Sequence, residues 1–192
     1  MRTFLAIFLL AAAAVAHAAD PRVELRTNRG VVVLELYPEK APKTVANFLQ
    51  YVKDGHYDGT VFHRVIDGFM IQGGGFDRDF RQKQTRPPVA IESEASLKAG
   101  LRNDYGTIAM ARTADPNSAT AQFFINVKNN DFLNFREPTA QGYGYTVFGK
   151  VVSGMDVVEK VAKGPTGAGG PFGRDVPRDA VVIEKASLLP EK

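Results

Sequence analysis

The sequence predicts a mainly β fold, an antiparallel barrel or sandwich carrying two helices. Three observations predict it. Short runs rich in Val, Ile, Thr and aromatic residues recur along the chain, bounded by Gly, Pro, Asn and Asp. Helical periodicity appears in only two stretches. Strands and helices never fall into the strand–helix–strand rhythm that builds parallel sheets.

The elements follow in order. Val23 to Thr27 (VELRT) and Val31 to Tyr37 (VVVLELY) flank Asn28-Arg29-Gly30 and read as a hairpin. Glu35 between Leu34 and Leu36 gives the alternation of a half-exposed strand, and Pro38 ends it. Ala41-Pro42 opens a helix, since proline suits the first turn. Val45, Phe48, Leu49 and Val52 fall at i, i+3, i+4 and i+7, one buried face, and Gly55 stops the helix. From Thr60 a second hairpin begins. Phe62 to Gly75 (FHRVIDGFMIQGGG) is a strand, a tight turn at Asp67-Gly68, and a strand ending in three glycines. Phe76 to Pro88, polar, cation-rich and closed by two prolines, reads as an exposed loop.

Ile91 to Arg102 carries acids and Ala-Ser-Leu-Lys, and reads as holding a short turn of helix. Thr107 to Arg112 is a short apolar strand, and Thr113 to Ala121 a loop of small and polar residues. Gln122 to Val127 is a strand whose adjacent Phe123 and Phe124 must face opposite sides. Lys128 to Gly144 reads as irregular, anchored by Phe132, Leu133 and Phe135. Tyr145 to Val152 is a strand, and Met155 to Ala162 the second helix, ended by Gly164-Pro165. Thr166 to Gly173 reads as a flexible glycine-rich loop without a phosphate-binding pattern. Asp179 to Leu189 is the terminal strand.

The first 18 residues stand apart. Met1-Arg2 gives a positive start, Phe4 to Val15 an uncharged apolar run, and Ala16-His17-Ala18 an A-x-A pattern. This is the layout of a secretory signal peptide cut after Ala18 or Ala19. The run is shorter than the roughly 20 residues a membrane span needs. The expectation is a periplasmic protein whose mature form, residues 19–192, is one domain with no membrane attachment. No internal repeat or further boundary divides it.

Composition narrows the chemistry. A chain of 192 residues, 44% hydrophobic and 23% charged, suits one soluble domain with a substantial core. The absence of cysteine excludes disulfides and thiolate chemistry. A net charge of +3, and no clustered cations, argues against nucleic acid. His56 and His63 lack partners at metal-ligand spacing, so no metal or other cofactor is expected. His63 reads as a structural strand residue. No serine sits in a nucleophile elbow. Glu92 and Glu94 read as a solvated face rather than a glycosidase pair. What remains is Arg64 among aromatic residues with amides nearby, a set suited to chemistry without a covalent step. From composition alone, Phe69, Met70, Phe124 and Leu133 read as core. Arg64 does not, because a buried arginine needs a paired anion.

Three segments resemble the cyclophilin family of peptidyl-prolyl cis-trans isomerases: FHRVIDGFMIQGG at 62–74, AMART followed by QFFINV at 109–127, and YTVFGKVVSGMDVVEK at 145–160. The resemblance implies a closed eight-stranded antiparallel β-barrel capped by two α-helices. It implies Arg64 as the catalytic guanidinium, and Phe69, Met70, Phe124 and Leu133 as walls of a proline pocket. Gln72 and Gln122 match amides near the substrate backbone. Ala111, Arg112 and Thr113 match a segment that pairs with the extended peptide on the amino side of the proline. Phe132 stands where well-studied eukaryotic members have tryptophan, Tyr145 where they have histidine, and Arg112 where they have asparagine. Phe132 and Tyr145 look like the bacterial branch, and weak cyclosporin binding is expected. The implied partners are proline-containing segments of unfolded or exported proteins, met by a monomer.

Overall fold

The computed structural model describes residues 19–190; the leader assigned to residues 1–18 lies outside the described residues. The described residues form ten strands: β1 (Arg22–Thr27), β2 (Gly30–Leu36), β3 (Thr60–Ile66), β4 (Met70–Asp77), β5 (Thr107–Met110), β6 (Phe123–Asn126), β7 (Val147–Ser153), β8 (Thr166–Gly169), β9 (Phe172–Pro177) and β10 (Val182–Leu188). Eight of them close an antiparallel barrel in the order β1-β10-β3-β4-β6-β5-β7-β2, with β2 returning to β1. Closure leaves these strands no open sheet edge.

Alternation places the core. Val23 and Leu25 of β1 and Val32, Leu34 and Leu36 of β2 point into the barrel, with Arg22, Glu24, Arg26 and Glu35 facing outward or half-buried. Two amphipathic helices complete the core: α1 (Pro42–Lys53) through Val45, Phe48, Tyr51 and Val52, and α3 (Met155–Ala162) through Val158, Val161 and Ala162. Phe48 packs on Tyr57, Phe123 and Phe148 at centroid separations of 5.1, 5.7 and 5.2 Å. Truncating a buried phenylalanine of this kind typically costs about 3–5 kcal/mol.

The structure departs from the sequence expectations in three places. A third helix, α2 (Ser93–Lys98), fills the stretch where only a helical turn was expected, and Asp131–Leu133 forms a 3-10 turn within the supposedly irregular segment. Glu92 and Glu94 do not share a solvated face. Glu94 pairs with Lys98 on the surface, whereas Glu92 is buried and accepts hydrogen bonds from the Lys43 and Thr44 amides at 3.1 and 2.8 Å and the Thr44 hydroxyl at 2.7 Å. α1 has Ala41 at its N-cap and no side-chain cap of its own, so this distant carboxylate satisfies two of its free N–H groups and complements the helix dipole. Finally, the glycine-rich stretch at 166–173 is not a flexible loop. It belongs to an ordered β8–β9 hairpin, with Thr166 opposite Pro177 and Gly169 opposite Phe172. Val176 is buried and Phe172 packs against His63 on β3, so tertiary contacts hold what strand propensity does not.

Candidate active site

The site is built on an irregularity in the β3–β4 hairpin. Phe62 faces Gly73 and Arg64 faces Gln72, so His63 is an extra residue in β3. Phe62 and Val65 both belong to the barrel core, which turns His63 and Arg64 together to the outside. Bulges characteristically re-aim side chains in this way. The glycines opposite make the approach possible. Gly74 has φ +84°, and a Cβ there would stand 2.9 Å from Phe123 and Tyr57; one on Gly75 would stand 2.5 Å from Gln122. Only glycine lets the Gln122 amide lie against that backbone.

Arg64 is exposed and has no ion pair among the described residues. Its Nη1 donates to Gln72 Oε1 at 3.4 Å, and Gln72 Nε2 donates to Gln122 Oε1 at 3.0 Å. The two amides thus bridge β3, β4 and the start of β6 and fix the guanidinium's side of the groove.

Beside this polar row lies a second apolar cluster, separate from the barrel core. Met70, Phe124 and Leu133 are buried in it together with Leu101, Ala109 and Val147, while Phe69, Ala111 and Tyr145 pack at its edge. Of the adjacent aromatics, Phe123 points into the barrel and Phe124 out of it. Tyr145 meets Phe124 edge to face at 5.5 Å, and the Arg112 guanidinium lies 5.0 Å over the Tyr145 ring. Arg112 also donates to the carbonyls of Gly144 (2.8 Å), Thr113 (2.9 Å), Ala114 (3.3 Å) and Ala140 (3.0 Å), tying the rim on both sides of Tyr145 together. A cationic fork satisfied by carbonyls and an aromatic face fits guanidinium better than ammonium.

The polar row and the apolar cluster border one cavity of about 400 Å³. Of the residues singled out in the sequence, Arg64, Phe69, Met70, Gln72, Ala111, Arg112, Gln122, Phe124, Leu133 and Tyr145 line it. Thr113 and Phe132 do not. Thr113 hydrogen-bonds Ser118 through its amide and hydroxyl, at 2.9 and 2.8 Å, just beyond the cavity. Phe132 stands on the rim, 61% exposed, with its ring stacked on Phe69 at 5.7 Å.

Three lining residues escaped the sequence reading: His63, Phe76 and Phe172. His63 is only 3% exposed, yet it faces this cavity rather than the barrel. Its ring stacks on Phe172 at 5.2 Å and meets Phe76 edge-on at 4.7 Å. Burial pushes the imidazole down to about pKa 4, and the neighbouring Arg64 charge acts in the same direction. A signal for the bulge was present: core residues three apart, Phe62 and Val65, break the period of two that a regular strand keeps. Among the described residues, no group of three or more His, Asp and Glu side chains is placed to hold a metal ion.

A closed barrel thus bears an open groove across several strands, cationic at one end of a row of amides and apolar beside it. The family model for cyclophilin-type peptidyl-prolyl cis-trans isomerases matches residues 22–188. The chain is 57% identical over 167 residues to peptidyl-prolyl cis-trans isomerase cyp18 of Streptomyces antibioticus, covering 87% of this chain and 98% of that protein. It is 52% identical over 166 residues to peptidyl-prolyl cis-trans isomerase B of Escherichia coli K12, covering 86% and 98%. A crystal structure of a Cryptosporidium parvum cyclophilin-type isomerase, determined in the presence of the dipeptide Ala-Pro, matches with a TM-score of 0.69 at 27% identity, covering 88% of this chain and 99% of that one. The chain belongs to the cyclophilin family and is a peptidyl-prolyl cis-trans isomerase.

Proposed function

We propose that the enzyme accelerates rotation about X-Pro bonds in exported polypeptides, with Arg64 as its catalytic group. Rotation is opposed by amide resonance, a barrier of roughly 18–20 kcal/mol. Resonance draws on the lone pair of the prolyl nitrogen. A guanidinium N–H donated to that nitrogen localises the pair and favours the twisted, pyramidal transition state. No bond to the enzyme forms and no proton is lost. The apolar walls of Met70, Phe124 and Leu133 hold the proline ring while the acyl side rotates. Gln72 and Gln122 present amides to the substrate backbone, and the edge formed by Ala111, Arg112 and Thr113 receives the residues before the proline as an added strand. This is binding energy directed at the transition state through a preorganised charge.

The observation that carries the reading is the position of Arg64. It stands without an acidic partner among the described residues on the wall of a cavity whose adjoining wall is apolar. Arg64→Ala is expected to keep the fold and lose about 10²- to 10³-fold in kcat/KM, measured by NMR exchange on a proline peptide or by proline-limited refolding. A near wild-type rate in the folded variant overturns the assignment.

The leader-like residues 1–18 support action outside the cytoplasm, on exported clients in the periplasm, by a monomeric mature enzyme. Expression in a Gram-negative host followed by fractionation and intact-mass measurement tests this. The expected product is periplasmic and starts at Ala19 or Asp20. A full-length product in the cytoplasm contradicts it.

A further inference from the structure

The cavity extends past the proline pocket. On the far side of Arg64 it is walled by His63, Phe76 and Phe172, none of which the isomerisation step uses. This lobe is built from distant parts of the chain. The bulge in β3 presents His63, the end of β4 presents Phe76, and the β8–β9 hairpin lays Phe172 over both, at 5.2 Å from each ring. Phe80, held at φ +59°, backs Phe172 at 6.0 Å and sits where a Cβ on Gly170 would stand 2.5 Å away. The hairpin's glycines therefore serve to seat its one aromatic ring. His63 supplies an independent sign of a ligand. It is 97% buried by the complement of its 3% exposure, and Nδ1 has no hydrogen-bond partner among the described residues.

We infer that the His63, Phe76 and Phe172 lobe is a second substrate subsite, taking an aromatic side chain from the residues that follow the proline. The direction follows from topology and rests on the isomerase reading above. The strands run β5-β6-β4-β3 across the groove, so Ala111 after β5 and His63 on β3 lie at opposite ends. Gln122, Gln72 and Arg64 stand between them. A peptide whose amino side pairs along 111–113 and whose proline sits against Phe124 and Met70 carries its next residues past Arg64 towards β3. There it meets the Phe76 and Phe172 rings and the edge of the buried imidazole, which is neutral near pH 7. Aromatic pairs at centroid distances of about 5 Å add specificity beyond area burial.

The test compares two peptides, acetyl-Ala-Ala-Pro-Phe-amide and acetyl-Ala-Ala-Pro-Gly-amide, by NMR exchange. Wild type is expected to favour the Phe peptide about tenfold in kcat/KM, and Phe172→Ala to cut that preference about fivefold. The ratio cancels any loss of active protein, and Phe172→Leu, which keeps an apolar plug, should retain part of it. An unchanged ratio in Phe172→Ala, or no preference in wild type, overturns the subsite. Absence of turnover on both peptides would sink the isomerase reading instead; the same ratio taken from binding titrations would then still decide the subsite.

Discussion

At the scale of the residue, His63 shows how one inserted position changes both stability and site. Its neighbours Phe62 and Val65 claim the barrel interior, so the imidazole is carried outward and then covered by Phe172. Its pKa falls from 6.5 to about 4, first through burial and then through the charge of Arg64. The unfolded chain takes up the proton near pH 6.5, whereas the folded chain resists until about pH 4. Folding therefore gains its full benefit above pH 6.5 and loses it as pH falls towards 4, a difference of about 3 kcal/mol across that window. His56, buried against the Gly74 carbonyl, is lowered as well and acts in the same direction. Urea unfolding at pH 7 and pH 4.5 should show wild type losing more stability than His63→Phe. Equal losses in the two proteins would mean that the imidazole is not held neutral by the fold.

At the scale of the element, the segment 128–134 shows what the sequence concealed. It reads as an irregular polar loop because asparagine is a turn residue by propensity. In the fold, Asn103, Asn126, Asn130 and Asn134 are all buried and bonded to one another. Asn130 Nδ2 donates to Asn126 Oδ1 at 2.8 Å and to the Phe69 carbonyl at 2.9 Å, and Asn103 Nδ2 donates to the Leu133 carbonyl at 3.1 Å. This amide chain fixes the two backbone positions that carry pocket walls Phe69 and Leu133. Asn130→Ala strands buried acceptors and is expected to cost about 2 kcal/mol of stability, with KM for proline peptides rising more than kcat falls. Thermal unfolding and steady-state kinetics check both; a variant as stable as wild type contradicts the network's role. The contrast with the rest of the chain is physical. The barrel strands and α1 and α3 were legible because alternation and 3.6-residue periodicity are local. The β8–β9 hairpin, the capping role of Glu92 and the amide chain were not, because each depends on partners far away in sequence. Within the site, adjacency told that Phe123 and Phe124 face opposite ways, but not which faced the core. The resemblance of whole segments, rather than any pattern within them, separated pocket from core at Met70 and Leu133.

At the scale of the molecule, the barrel sets the termini and the groove apart. β1 pairs with β10, Val23 opposite Leu188, and the Leu189 amide donates to the Arg22 carbonyl at 2.8 Å, so the two ends of the folded domain meet. In the closed order β1-β10-β3-β4-β6-β5-β7-β2, the groove strands β4 and β6 stand across the barrel from β1. The chain's ends can therefore be rearranged without touching the site, provided the ring of strands stays closed. Consider a permutant that joins residue 190 to residue 20 by a short Gly-Ser linker and opens between Asn28 and Arg29. Both of these are exposed turn residues. The cut sacrifices the turn bonds of the Thr27 hydroxyl, with the Arg29 amide at 3.0 Å and the Gly30 carbonyl at 2.7 Å, about 1–2 kcal/mol. Every barrel pairing survives, with β1 now the last strand. The permutant is expected to fold and to keep kcat/KM within about twofold of wild type. Deleting residues 182–192 instead removes β10, exposes β1 and β3 as open edges, and should abolish both the dispersed amide spectrum and activity. A permutant that folds yet loses turnover would show that the groove depends on strain from the β1–β2 turn, against the independence that the strand order implies.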